Sequence, residues 1–260
     1  MTVKQSAVGV VLIGALIGGG VVPADAQNAC KDLPSHSALR DALIAAQGQA
    51  NGGFGLEMWA TVVNRDGVVC AVAFTGGDRG DQWPGSRVIS AQKANTANAF
   101  SLPGLALSTA NLFTAVQPGG SLYGLQHSNP VNTDVAYGGS PTNYGRPNDP
   151  MVGGRIGGVN MFGGGLALYN STDKLVGAIG VSGDSSCADH NIAWRTRNTL
   201  VLDHVPNGIS ISGDPTRPDN IVYDITPQPG QMPGVSASGW GHPACSPAAT
   251  AIAAALPATK

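Results

Sequence analysis

Apolar and polar positions change period several times along the chain, and the changes divide it. From Gly163 to Leu202 two apolar runs flank a polar turn. Leu166, Leu168 and Tyr169 precede Asn170, Ser171, Thr172 and Asp173, and Leu175, Val176, Ala178, Ile179 and Val181 follow. That pattern predicts a hairpin, and the second strand, apolar on both faces, belongs in the middle of a covered sheet. Ile192, Ala193, Thr196 and Leu200 then recur at helical spacing, with Asp184, Ser185 and Ser186 as N-cap candidates.

Upstream, Ser35 and Ser37 precede an apolar stripe at Leu39, Ala42, Leu43, Ala46 and Ala50, which predicts a helix closed by the glycines after Gln47. Glu57 to Val63 and Val68 to Phe74 alternate around Asn64-Arg65-Asp66-Gly67, a hairpin of the Asp-Gly type. Thr75 to Gly85 is a polar, glycine-rich loop. Ser86 to Leu102 predicts a helix whose small residues Ala91, Ala94, Ala97 and Ala99 permit close packing on a sheet, and Leu105 to Val116 a shorter helix after Pro103-Gly104. Gln117 to Met161 has no period, yet its tyrosines and amides argue against simple disorder. Asp203 to Lys260 is a proline-rich irregular tail with one strand-like run, Asn220 to Ile225.

The first 26 residues stand apart. Lys4 precedes an apolar run from Ala7 to Val22, and Ala24-Asp25-Ala26 has the form of a cleavage site. This predicts a signal peptide over 1–26, cleavage after Ala26 and a periplasmic or secreted protein with no membrane span afterwards. In that compartment Cys30, Cys70, Cys187 and Cys245 read as two disulfides, for which three connectivities exist. Cys30 with Cys70 and Cys187 with Cys245 is the preferred set, stapling the N-terminal segment and the tail to the core. The formal charge of −2 offers no basic arm for nucleic acid. Charged residues make up only 12% of the chain, and this thin charge, with the small side chains, points to a homo-oligomer.

Taken together these segments resemble a family. Asn64-Arg65-Asp66-Gly67, SRVISAQKANTANAF from Ser86 to Phe100, GGGLALY from Gly163 and VGAIGVSGD from Val176 to Asp184 are similar to the GlcG/HbpS-type haem-binding, or haem-degrading, domain. The resemblance covers roughly Ser35 to Leu202. It implies an α/β fold with profilin-like α/β/α layers around a central antiparallel sheet, and assembly into oligomers. Here the domain is expected over 27–202, with 117–161 as a long insertion and 203–260 as a tail packed on it. It also implies a haem or corrinoid ligand in a cleft beside the lysine helix, and Lys93 stands at the family's lysine position.

Haem asks for an apolar slot, cations for its propionates and an axial base. His127, in the otherwise unexplained loop, is the first candidate for the haem iron, with a hydrogen-bonded loop histidine as the plain alternative. His190 is the second. Lys93 offers a cation for a propionate, or pairs with a carboxylate. Gly180, Ser182 and Gly183 form a donor-rich loop at a helix start, a geometry that suits an anion. No histidine pair has metal-site spacing, and Val181-Ser182-Gly183 is not a nucleophile elbow. The functional expectation is an exported haem or tetrapyrrole carrier or sensor accessory, with haem degradation as a further activity. The alternative is a lyase or hydratase acting on a small organic acid through Lys93 and His127.

Overall fold

The computed structural model describes residues 29–260, so the signal reading for 1–26 lies outside the described residues. The helices are α1 (His36–Gln47), α2 (Ser86–Phe100), α3 (Leu125–Ser128), α4 (Thr133–Tyr137), α5 (Ser186–Thr199) and α6 (Pro247–Ala254). The strands are β1 (Trp59–Asn64), β2 (Val69–Phe74), β3 (Gly165–Tyr169), β4 (Leu175–Ser182), β5 (Ile225–Gln228) and β6 (Gln231–Ser236). The first four strands form one antiparallel sheet in the order β2-β1-β4-β3, and β5 and β6 form a separate hairpin.

β4 is central and buried along its whole length, as its unbroken apolar run requires. Its side chains alternate between two cores. Ile179 and Val181 join Leu39, Leu43, Ile192 and Trp194 under α1 and α5, while Ala178 joins Val88, Ala91, Ala94 and Ala97 under α2. The helix over the second face comes very close, because a Cβ at Gly180 would overlap the Ser90 carbonyl and the Ala94 nitrogen of α2. Glycine there is a packing requirement. Ser35 and Ser185 cap α1 and α5 by accepting from the Ala38 and Ala188 amides, each cap worth about 1 kcal/mol.

The two disulfides join Cys30 to Cys70 and Cys187 to Cys245, the set preferred from the sequence. Residues 203–260 close over α5. Arg197 pairs with Asp219 at 2.6 Å with both side chains fully buried, and the Trp194 indole donates to the Pro257 carbonyl at 2.9 Å. No helix among the described residues is long and apolar enough to cross a membrane.

Two expected elements are different. Leu105 to Val116 is two single 3₁₀ turns, Ala110–Leu112 and Thr114–Val116. Asn111 accepts from both the amide and the hydroxyl of Ser108, and Thr109 exchanges hydrogen bonds with Gly165 on β3. These local bonds replace a continuous helical ladder. Asn220 to Ile225 forms no strand before Ile225, apart from one bridge between Val222 and Gly241. The Asn220 carbonyl accepts from the Asn111 amide and the Ile221 amide donates to the Asn220 side chain, so side chains hold the backbone that a partner strand would need.

Candidate functional site

The sequence-selected residues fall into three places. Lys93, Gly180, Ser182 and Gly183 come together where α2 crosses the end of β4. Lys93 is 2% exposed and donates to Asp189 Oδ2 at 2.6 Å and to the Val181 carbonyl at 3.1 Å. The other Asp189 oxygen accepts from the amides of Gly183 and Asp184 at 3.1 and 2.9 Å. The anion expected at this loop is therefore the chain's own carboxylate, and both the cation and the donors are already engaged. Burial pushes the Asp189 carboxyl up to about 6, against the pull of Lys93. The Ser182 hydroxyl donates to the Ser86 hydroxyl at 3.2 Å, and Asp184 accepts from the amides of Phe54, Gly55 and Leu56. This corner is close-packed, which corrects the expectation of an open anion site at Gly180 to Asp184.

His190 is fully buried on α5, facing the tail. Its Nε2 lies 3.1 Å from Asn220 Oδ1 and accepts from the Ile221 amide at 3.2 Å, and Nδ1 has no partner among the described residues. Burial lowers its pKa to about 4, so it is a neutral structural side chain near neutral pH. His127 is solvent-exposed on α3. It shares none of the contacts of Lys93, so the proposed acid–base partnership of Lys93 with His127 is not assembled. Among the described residues no three His, Cys, Asp or Glu side chains gather as a metal site.

An apolar cleft of about 480 Å³ lies against the first turn of the lysine helix. Trp59, Val88, Tyr137 and Tyr144 line it, with Arg79 and Arg87 as its cations. Trp59 opens β1 and meets Phe74 of β2 edge-on, ring centroids 5.1 Å apart. The segment 117–161 builds the facing wall. Arg87 in α2, 2% exposed, forms a two-pronged pair with Asp149 and donates to the Ala136 carbonyl at 2.7 Å. Its guanidinium also lies 3.6 Å from the centre of the Tyr144 ring. Asp149 accepts further from the amides of Gly145 and Met151 at 2.6 and 2.8 Å.

Gly145, with φ of +73°, presses on the rings of Phe74 and Trp59 where no Cβ fits, and its carbonyl accepts from His36 Nε2 at 2.8 Å. The Trp59 indole N–H, buried in the wall, finds no acceptor among the described residues. Arg79 is 46% exposed in its side chain and lies 3.9 Å from Asp78, a loose surface contact. The sequence singled out Tyr137 and Tyr144 as signs of order in the insertion. It missed Trp59, Arg79 and Arg87. Trp59 alternates with Met58, Ala60 and Val62, which placed it on the opposite face of the strand, but nothing local marks it as a cleft wall.

The family model described as haem degrading protein HbpS-like matches residues 35–197. Among solved structures, a PduOC–heme complex is 23% identical, with a TM-score of 0.46 over 67% of this chain and 99% of its own. The Klebsiella pneumoniae protein ORFY, of the DUF336 family, is 23% identical, with a TM-score of 0.43 over 64% of this chain and 90% of its own. A double mutant of Streptomyces reticuli HbpS is 17% identical, with a TM-score of 0.41 over 75% of this chain and 99% of its own. No curated protein matches the chain. The match over 35–197 makes the chain a member of the HbpS-like family.

Proposed function

We propose that this HbpS-like chain is an exported haem-binding protein and that haem lies in the Trp59 cleft. The observation that carries the reading is the cleft itself: an aromatic, apolar slot against the first turn of the lysine helix, with Arg79 exposed beside it. Haem is flat and apolar with one anionic edge, and a slot of a few hundred Å³ with a small number of polar groups suits it. Trp59, Val88 and Tyr144 would hold the macrocycle and Arg79 a propionate. The unpaired Trp59 indole marks a donor that a bound acceptor would satisfy. When bound, haem would supply a redox-active iron. Export fits the two disulfides and the leader-like residues 1–26.

Hemin titrated into the oxidised protein should give a saturable Soret shift, and Arg79→Ala should weaken binding by up to about fivefold, the worth of one partly exposed ion pair. The absence of saturable binding overturns the reading. Loss of the Soret band with a reductant and oxygen, beyond a protein-free control, would add degradation to binding.

A further inference from the structure

We propose, on the haem reading above, that Tyr137 is the axial ligand of the iron. Proteins hold haem iron through histidine, cysteine thiolate, methionine or tyrosine. The cleft lining contains no residue of the first three kinds. His190 and His242 are buried, His36 donates to Gly145, His127 and His204 are outside the lining, and all four cysteines are in disulfides. Tyrosine is the remaining donor type, and the lining carries two.

The two tyrosines are held very differently. Tyr144 is committed: its hydroxyl donates to the carbonyls of Tyr137 and Gly138 at 3.0 and 3.3 Å, and the Arg87 guanidinium covers its ring. Tyr137 ends α4 with its side chain 62% exposed, and its hydroxyl carries none of these bonds. Its main chain is fixed from both sides. Arg87 donates to the carbonyl of Ala136, and Tyr144 donates to that of Tyr137 itself. A braced backbone thus presents one uncommitted phenol at the cleft, whose lining also holds Arg79, exposed and only loosely engaged by Asp78. That is the usual construction of a ligand site, a free donor on a braced support.

The test compares ferric hemin with metal-free protoporphyrin, which fills the same slot without asking for an axial base. Wild-type protein should bind hemin at least about tenfold more tightly and show a phenolate-to-iron charge-transfer band. Tyr137→Phe should erase both the preference and the band while leaving protoporphyrin affinity unchanged. Tyr137→His should restore the preference with a shifted Soret maximum, and His127→Ala should alter nothing. If hemin preference and spectrum survive Tyr137→Phe, the tyrosine assignment is overturned and haem binding stands. If neither porphyrin binds the wild-type chain, the haem reading itself fails.

Discussion

Two buried histidines make single residues responsible for the response of this protein to acid. His190 Nε2 sits between the Asn220 side-chain oxygen and the Ile221 amide and Nδ1 has no partner among the described residues, so a doubly protonated ring would carry an N–H with no acceptor. His242 donates from Nδ1 to the Pro243 carbonyl and accepts at Nε2 from the Gly163 amide, so a second ring proton would face another donor. Burial lowers both pKa values to about 4 from 6.5. A depressed imidazole pKa gives stability that is present above pH 6.5 and lost as pH falls through 4, roughly 3 kcal/mol for each fully buried ring. Asp189 works the other way. Its raised pKa of about 6 gives stability present below pH 4 and lost as pH rises through 6. Lys93 lies near His242, and Arg197 and Asp219 face His190 with opposed effects. Two imidazoles outweigh one carboxyl, so urea midpoints should fall between pH 6.5 and 4, and His242→Gln should flatten that slope. A midpoint that holds constant or rises toward pH 4 would contradict this account.

At the level of elements, the contact of α2 with β4 organises the molecule. Gly180→Ala should cost about 1 to 3 kcal/mol, because the new methyl meets helix backbone that cannot rotate away. Thermal melts would register the loss, and a variant as stable as wild type would mean that the helix rides higher than described. This contact was legible in the sequence: the alanines of Ser86 to Phe100 and the glycines of β4 announce close approach through their size. The central position of β4, both hairpins and the cap at Ser35 were equally readable, since period and turn chemistry are local. The 3₁₀ turns after Ser108 were not, because Asn111 and Thr109 bond with side chains and with β3 instead of continuing a ladder. Nor was the cleft. Arg87 and Asp149 stand 62 positions apart, and a pair formed across a loop leaves no periodic trace in either segment. Lys93, read as offering a cation for a propionate or as pairing with a carboxylate, pairs with Asp189 of the chain itself.

Across the whole molecule, two covalent links tie the ends of the chain to the layered core. They close loops with sequence separations of 40 and 58, which in the chain-entropy description are worth roughly 4 kcal/mol each. Replacing Cys187 and Cys245 together by serine should therefore lower stability by a few kcal/mol in a urea melt. Intact mass before and after reduction should show two bonds in the wild-type chain purified without reductant and one in the variant. Four alkylatable thiols in the unreduced protein would defeat the expectation.

The pairing of Arg87 with Asp149 also bears on descent. An arginine fixed in the core helix by a carboxylate of the loop 117–161 is a liability without that loop, since an unpartnered buried charge costs several kcal/mol. Relatives that lack this loop should therefore carry an uncharged residue at the arginine's position, and lineages that keep it should gain or lose arginine and aspartate as a pair.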